Sequence, residues 1–361
     1  MTRQIRPSTP TDGPAIAALL VEAGLNPNLE PAQQHWKYWE ERDDWPGSRS
    51  YVMTNGSDII AHAGIVPSVC VTAARRLRVI HMIDWAARPG AVGAGVTLMK
   101  HIRRLTDALI AVGGSQWTQQ IIPHLGFRRL GTVTEYISGL YPLRYQWRNT
   151  SPLWKVPGRL ARGMVWTVWV SSSRGAWRAQ RIGPADLPRV QALLPRPKRD
   201  TAIFERSDGL FRYMLSCPIS PMELHALTQD GKPRGYFLLA RALGQARLVD
   251  CWLDSDDPAD WRALIRCAQG QAAHNPEARY LVTQASDPLL ARCLLHCGFE
   301  AQGEIPVQVL ADPAFGQFTG TLRVQMLDSD AAFLYHPPRS AELPANGRRD
   351  DASTIGLAPQ V

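Results

Sequence analysis

The sequence lacks long apolar runs and the features of a secreted chain. No stretch approaches the ~20 consecutive apolar residues that a transmembrane helix needs. Met1–Arg6 leads into a polar, Pro-rich segment where a signal peptide would have its apolar core. The six cysteines have irregular spacings that fit neither a disulfide framework nor a metal site. We therefore expect a cytoplasmic protein with buried, reduced cysteines and no bound metal.

Acidic residues are also scarce in one part of the chain. The net charge is +8, but the segment from Arg144 to Arg199 carries twelve Lys and Arg against the single acid Asp186. The basic excess therefore belongs to one connecting segment rather than to a whole domain. No aromatic motif that stacks on bases accompanies it, so we do not expect nucleic acid to be the partner.

An internal repeat divides the chain. Pro10–Leu20 and Pro184–Leu194 share the pattern Pro-x-Asp-x-Pro-x-aliphatic-x-Ala-Leu-Leu at an offset of 174 residues. Trp36-Lys37-Tyr38 matches Phe211-Arg212-Tyr213 at offset 175, and His124–Phe127 matches His296–Phe299 at offset 172. These collinear matches predict one domain over residues 1–145 and a second over 178–336. A basic, Trp-rich connector (146–177) joins them, and we expect the polar tail (337–361) to be disordered.

Helix and strand signals alternate in the first copy. Asp12 is the expected N-cap of an apolar helix that Gly24 ends. Strands follow at 50–53, 59–66 and 77–85. After them the pattern predicts a helix (96–109), a strand (109–112), a helix (117–125) and a strand (132–137). The predicted class is α/β (α+β), with a mixed, mostly antiparallel twisted sheet flanked by helices in each copy.

This order of motifs resembles the GNAT superfamily of acyl-CoA-dependent acyltransferases. Ile5-Arg6-Pro7 and the helix after it resemble the family's opening strand and helix. Ile83–Met99 resembles its central strand, pyrophosphate loop and next helix, and Leu125-Gly126-Phe127 its Gly-Phe ending. The resemblance covers most of residues 3–140. With the internal repeat, it implies two tandem GNAT-like domains, the first of which uses acetyl-CoA as co-substrate.

The Gly-rich turn after the central strand explains how a phosphate could bind. Unpaired amides and the positive end of the helix dipole suit a pyrophosphate, and glycine lets it approach closely. A plain strand-to-helix connection is the alternative reading of the same residues. By resemblance, the strand backbone and the loop contact the cofactor through Trp85, Ala86, Ala87, Arg88, Gly90, Ala91, Val92, Gly93, Ala94 and Gly95. Gly90 replaces a common Arg or Gln, and Ile122 replaces a common Tyr acid.

Acyl transfer to an amine needs a base. Asp84 is the carboxylate that the resemblance places best, and a strand-end polar role is its alternative. His81 lies three residues earlier, so a regular strand turns it to the opposite face. We assign His81, Trp36 and Tyr38 to acceptor binding. For the two aromatic residues a core role, shared with their repeat counterparts, is the alternative.

The second copy lacks the loop. After Asp250 and Leu253 the chain continues with Asp254, Asp256 and Asp257 and has no glycine there. Carboxylates at this position would repel a pyrophosphate, so they are better interpreted as a cap for the helix that begins at Pro258. We expect a degenerate copy that shapes the acceptor site.

The connector mixes tryptophan with cations. Residues 152–177 contain four Trp residues among Lys155, Arg159, Arg162 and Arg174. This composition fits packing between the domains, and it also fits a segment lying at the inner face of a membrane. We expect the acceptor to be a small molecule, or a lipid-linked molecule if the connector contacts a membrane.

The sequence thus predicts an acyl-CoA-dependent N-acyltransferase with an unidentified acceptor amine. Weak resemblances point to cell-envelope or polysaccharide metabolism. Two alternatives stay open: a non-catalytic tandem GNAT-like binding or scaffold protein, and a Fem-like transferase that uses aminoacyl-tRNA.

Overall fold

The computed structural model describes residues 3–142, 153–172, 175–197, 200–242, 244–311 and 320–333. The predicted disordered tail (337–361), Arg174 and part of the connector lie outside these residues.

The first half contains the following elements: β1 (Arg3–Pro7), α1 (Gly13–Glu22), α2 (Pro31–Gln34) with a π-helical turn (His35–Trp39), β2 (Ser50–Asn55), β3 (Asp58–Val71), β4 (Arg76–Ala87), α3 (Ala94–Arg103), β5 (Ala108–Val112), α4 (Gln116–Ile121) with a 3-10 turn (Ile122–Leu125), and β6 (Arg128–Gly139). The connector forms α5 (Val156–Ser172).

The second half contains β7 (Trp177–Ile182), α6 (Pro188–Gln191), β8 (Thr201–Phe204), α7 (Asp208–Leu215), β9 (Met222–Gln229), β10 (Lys232–Ala242), β11 (Gln245–Leu253), α8 (Pro258–Ala272), β12 (Tyr280–Ala285), α9 (Pro288–His296), β13 (Glu300–Ala311) and β14 (Thr321–Arg323), followed by the 3-10 turns Met326–Asp328 and Asp330–Ala332.

One mixed sheet connects the fourteen described strands. Its main path is β1-β2-β3-β4-β5-β13-β6-β12-β11-β10-β9-β7, with β8 beside β3 and β14 beside β8. The pairs β4–β5, β11–β12 and β8–β14 are parallel, and the other pairs are antiparallel. The predicted mixed, mostly antiparallel sheet with flanking helices is therefore confirmed.

The two halves exchange their last long strands. β13 of the second half pairs with β5 on one side and with β6 on the other, and β6 of the first half pairs with β12. Each half therefore completes its share of the sheet with a strand from the other half. The domain boundaries stay predictions about segments of the chain, since the sheet itself is continuous across them.

Helices cover both faces of the first half's strands. The apolar side of α3 (Leu98, Met99 and Ile102) packs in the same buried cluster as Ile80 of β4. α1 buries Ile16 and other apolar residues on the opposite face. β4 therefore runs between two helical layers, and what its residues contact depends on the face toward which they point.

Two local predictions need refinement. Asp12 occupies the N-cap position of α1 as predicted, but its side chain makes no capping hydrogen bond to that helix, because a 3-10 turn starting at Pro10 precedes it. Thr9 is the cap of that turn, and Asp12 accepts the Thr9 amide and pairs with Arg6 at 2.7 Å. The helix predicted over 96–109 spans Ala94–Arg103 instead. Asp257, by contrast, caps α8 as predicted and accepts the amide of Ala259 at 2.8 Å.

Candidate functional site

The strands β4 and β5 pair over a short distance and then separate. Their parallel register joins Val79–His81 to Ala108–Ile110. In the described residues no pairing between β4 and β5 continues beyond it, although β4 runs on to Ala87. β5 keeps its other neighbour, because it pairs along its length with β13. One edge of β4 is therefore open to an extended ligand over the residues that precede the Gly-rich loop.

A β-bulge shapes the other edge of β4. His62 of β3 faces Ala86 and Gly64 faces Ile83, so Asp84 and Trp85 both lie opposite the single residue between. Asp84 has a φ of +47°, a left-handed conformation that costs about 1–3 kcal/mol in a residue with a side chain.

This conformation redirects the Asp84 side chain. Regular alternation would place it with Ile80 and Met82, toward α3. It reaches Tyr38 instead, which lies beside Ile83 on the other face: a Cβ built on Gly64 would approach Tyr38 to 2.9 Å and Ile83 to 3.0 Å. The expectation that Asp84 and His81 point to opposite faces is therefore wrong. Residues 81 and 83 share a face, and the bulge brings Asp84 onto it.

The Asp84 carboxylate has two close partners. Lys37 Nζ lies 2.6 Å from Oδ2, and the Tyr38 hydroxyl donates to the same oxygen at 2.5 Å. Burial alone would raise the pKa of Asp84, but the charge and hydrogen bond of Lys37 and the hydrogen bond of Tyr38 lower it below its ordinary value. Burial and the Asp84 charge raise the pKa of Tyr38 well above its ordinary value. The site thus holds a carboxylate ion, an ammonium ion and a neutral phenol.

A π-helical turn carries this group. The amide of Glu40 donates to the carbonyl of His35 at 2.8 Å, and this wider turn places Trp36, Lys37 and Tyr38 all in buried positions. Arg49 stabilises the end of the turn by donating to the carbonyls of residues 36, 37 and 40. Sequence reasoning missed Lys37. Its signal was a single cation between two aromatic residues, for which a core role was the alternative interpretation.

Trp36 lies between the two halves. Its indole stacks on Tyr213 with ring centroids 4.4 Å apart and donates to the Tyr213 carbonyl at 3.0 Å. The side chain is 1% exposed. Trp36 therefore lies in the core, which was the alternative to acceptor binding. Tyr38 instead reaches Asp84.

A chain of hydrogen bonds from β3 and β2 stabilises the bulge at Asp84. His62 donates through Nδ1 to the Asp84 carbonyl at 3.0 Å, because a carbonyl oxygen only accepts. Its Nε2 then accepts from the Ser50 hydroxyl at 2.9 Å, and Ser8 donates to Ser50 at 2.6 Å. Burial lowers the pKa of His62 to about 4, so the ring is neutral at pH 7. These groups were not anticipated from the sequence, and they fix the backbone at Asp84.

His81 stands where β4 and β5 separate. It belongs to the last paired position, and its Nδ1 donates to the Ile110 carbonyl at 3.1 Å. Nε2 lies 3.6 Å from Oδ1 of Asp330, which comes from the last described segment of the chain. One residue from each half, His81 and Asp330, therefore lies at the point where β4 and β5 separate, which we call the vertex.

The Gly-rich loop follows the open edge. Gly93 caps α3 with a φ of +77°, and Gly90 has a φ of +84°. A Cβ at either glycine would meet no atom of the described protein within 4 Å. The Trp85 indole donates to the Gly95 carbonyl at 3.0 Å and fixes the loop to the strand. The glycines are thus needed for the backbone conformation, and the space beside Gly90 and Gly93 is free of described protein atoms. Ile122 is buried beneath α3.

The second half has an equivalent strand pair whose edge is filled. Tyr236 faces Trp252 as His62 faces Ala86, which makes Asp250 the counterpart of Asp84 and Cys251 that of Trp85. The side-chain amide of Gln325 bonds to both main-chain groups of Cys251, each at 3.0 Å. The place that stays open beside Trp85 is therefore occupied in the second half by the chain itself.

Asp250 is likewise held in a closed arrangement. Arg206 binds it through two hydrogen bonds of 2.9 and 2.8 Å and also pairs with Asp328 at 2.7 Å. Tyr236 donates to Asp250 at 2.8 Å. All four side chains are buried. The second half keeps the acid and cation of the first, but as a packed structural cluster.

A cleft of about 890 Å³ opens beside Trp36 and Trp39. Prolines and aliphatic residues of α1 and α2 form much of its wall, Glu40 is its carboxylate, and Ser216 and Pro218 contribute from the second half. It lies at the junction of the two halves.

Two other features concern metals and membranes. Within the described ranges, no helix has the length and apolarity needed to cross a bilayer. No group of three or more His, Cys, Asp or Glu side chains there is arranged to hold a metal ion.

Comparison with protein-family models gives no match, and neither does comparison with curated protein sequences. Solved structures are similar. A GCN5-related N-acetyltransferase from Anabaena variabilis has a TM-score of 0.55 at 9% identity, over 85% of this chain and 72% of that one. Another from Kribbella flavida has a TM-score of 0.54 at 13% identity, over 85% and 70%. Saccharomyces cerevisiae N-myristoyltransferase with bound myristoyl-CoA and inhibitors has 0.56 at 13% identity, over 86% and 81%.

At these identities the similarity establishes the fold. The chain has the GNAT fold, and the resemblance inferred from its sequence motifs is confirmed at that level.

Proposed function

We propose that the protein is an acyl-CoA-dependent N-acyltransferase whose active site lies in the first half. The observation that carries this proposal is the contrast between two equivalent strand edges. The edge of β4 at Trp85 is open and ends in a glycine loop at a helix N-terminus, whereas the edge of β11 at Cys251 is filled by Gln325. The similarity of the chain's fold to N-acetyltransferases and to an N-myristoyltransferase bound to myristoyl-CoA supports an acyl-CoA as the co-substrate.

In this proposal the pantetheine arm pairs with the backbone of Trp85–Ala87, as an added strand would. The pyrophosphate binds loop amides at the positive end of α3. The amides of Arg88, Ala91 and Ala94 do not take part, because they donate to carbonyls within the protein. The thioester then lies near the vertex at His81, where the open edge begins. Backbone amides of β4 would stabilise the oxyanion that forms when the acceptor amine attacks the thioester carbonyl. Collapse of this intermediate would break the C–S bond, release the amide and CoA, and pass the amine proton through the base or solvent to the CoA thiolate. Acetyl-CoA is our proposed co-substrate.

The acceptor enters from the side of the cleft at the junction of the halves. Glu40 gives this cleft a carboxylate that would attract an ammonium group, and the remaining wall suits an apolar acceptor body. We propose a small-molecule or lipid-linked amine and a cytoplasmic location for the reaction.

Two side chains are candidates for the proton acceptor. Asp84 is the base implied by the resemblance, but its hydrogen bonds to Lys37 and Tyr38 reduce its basicity. His81 stands where β4 and β5 separate, and the Ile110 carbonyl orients its ring through Nδ1, which leaves Nε2 as the nitrogen that can accept a proton, with Asp330 3.6 Å away. The pH profile of kcat/KM separates the two: His81→Gln should remove its acidic limb if His81 is the base. Asp84→Asn should remove it if Asp84 is.

The test of the function is calorimetric titration of the full chain with acetyl-CoA, free CoA and a long-chain acyl-CoA. Saturable binding with one site per chain and a preference for acylated CoA supports the proposal. No binding up to millimolar concentrations overturns it and leaves a scaffold role or a transferase that uses aminoacyl-tRNA.

A further inference from the structure

The connector helix α5 turns an apolar face toward solvent. Four of its exposed side chains follow helical spacing and are apolar: Ala161, Met164, Val165 and Val168, with Met164 54%, Val165 70% and Val168 65% exposed. Arg162 is exposed beside this strip, and Ser171 and Ser172 are exposed at the end of the helix. Trp154, just before the helix, is 77% exposed. A surface helix of a globular protein ordinarily has the reverse pattern, with its charged side outward. Exposed apolar patches of this kind mark interaction surfaces.

The opposite side of α5 is firmly docked, so the outward face has a fixed orientation. Gly163 and Val170 are buried, and Trp166 packs against the core of the second half. The Arg266 guanidinium of α8 lies over the Trp169 ring at 2.9 Å from its centroid. A Cβ at Gly298 would approach the same ring to 3.3 Å. The helix is thus held by the protein body from Gly163 to Val170.

Cations border the apolar face. Lys155 lies over the Trp154 ring at 4.9 Å, and Arg162 over the Tyr141 ring at 5.2 Å. No Asp or Glu occurs in the sequence from Arg144 to Ala185. The surface therefore combines an apolar strip, an exposed indole and a positive border.

We propose that this face binds the surface of a membrane containing anionic lipids. The apolar side chains would enter the boundary between headgroups and acyl chains, Trp154 would lie at headgroup level, and the cations would contact lipid phosphates. A second copy of the chain fits less well, because pairing two such faces would bring their positive borders together. The inference does not depend on acyl transfer, and a bound lipid surface would bring lipid-linked amines to the protein.

The test is flotation of the purified full chain with vesicles. One set contains phosphatidylcholine alone, and in the other about one third of the lipid is phosphatidylglycerol. The wild type should float with the anionic vesicles at low ionic strength and be released by about 0.5 M salt, which screens surface charge. Arg162→Gln should weaken binding about fivefold.

The variant Val165→Asp/Val168→Asp should lower binding about tenfold or more for each valine. The matched control is Val21→Asp, because Val21 is an exposed helical valine (58%) on α1, away from this face. It should bind like the wild type. Thermal unfolding and acyl-CoA titration of each variant check that the fold is retained.

Three results would overturn the proposal. The first is no flotation of the wild type with anionic vesicles at low salt. The second is equal flotation on both vesicle types, or flotation kept by the double valine variant. The third is a concentration-dependent dimer that the double variant abolishes in the absence of any vesicle binding, which would make the face a contact between copies.

Discussion

Replacing Gly93 by alanine tests whether the loop binds a pyrophosphate. Gly93 has a φ of +77° and caps α3, and Gly231 has a φ of +76° in the turn between β9 and β10. A Cβ at either position meets no atom of the described protein within 4 Å. The two substitutions therefore introduce the same conformational strain, about 1–2 kcal/mol each, but only Gly93 lies in the loop.

The affinity should separate the two variants. A methyl group at residue 93 stands in the space that a phosphate oxygen must occupy to reach the loop amides. Loss of one hydrogen bond to a charged group costs about 1.5–3 kcal/mol, which is about a ten- to hundredfold rise in Kd. Gly231→Ala should bind acyl-CoA like the wild type.

Calorimetric titration gives the Kd, and urea unfolding gives the free energy of unfolding for the same three proteins. We expect equal losses of stability and unequal losses of affinity. An unchanged Kd in Gly93→Ala, with the loss of stability present, would refute the assignment of the loop to phosphate. Equal losses of affinity in both variants would show that strain alone reduces binding.

Three further predictions concern the polar groups of the two halves. Asp84→Asn removes the carboxylate that pairs with the buried Lys37, leaving it the Asn28 side-chain oxygen at 3.3 Å, and should cost about 3–5 kcal/mol in urea unfolding. Adding Lys37→Met should recover part of this loss, and strictly additive losses would contradict the pairing. The pKa of His62 is about 4 when folded and near 6.5 when unfolded, so the unfolded chain binds the proton and stability falls as pH drops below about 6.5. His62→Gln should reduce the slope of unfolding free energy against pH by up to about 1.4 kcal/mol per pH unit. The contribution of His225 should remain, because burial also lowers the pKa of His225 to about 4. An unchanged slope would argue against a neutral His62. Gln325→Ala should lower the free energy of unfolding by about 1–3 kcal/mol for each main-chain group that it leaves unpaired. The variant should still bind one acyl-CoA per chain in calorimetry, and a changed Kd at the first site would place Gln325 near the cofactor.

Local patterns predicted much of the fold, because each followed from neighbouring residues. The glycines of the loop, the cap at Asp257 and the order of strands and helices all depend on short-range chemistry. The exchange of β6 and β13 could not be predicted in this way. Each segment has the residue pattern of a strand in a mixed sheet. Nothing in either segment specifies which half of the chain supplies the neighbouring strand.

The candidate site was less predictable because it depends on one backbone angle. Asp tolerates the left-handed region better than most residues, but no local pattern indicates that Asp84 adopts it. Once it does, its carboxylate changes face and meets Lys37 and Tyr38, while His62 holds its carbonyl. Periodicity alone would keep Asp84 and His81 apart.

The second half of the chain contributes groups that hold β5 and His81 beside the open edge of β4. An unpaired strand edge normally recruits a neighbouring strand, so β5 could in principle close against β4. β5 is held on its far side by five paired positions with β13, from Val307 to Ala311. Asp330 of the same half faces His81 at the vertex. The opening between β4 and β5 therefore depends on groups from both halves of the chain. Neither β13 nor Asp330 lies in residues 254–257, the segment that has acids and no glycine in the second half, so the absence of a glycine loop there does not affect these contacts.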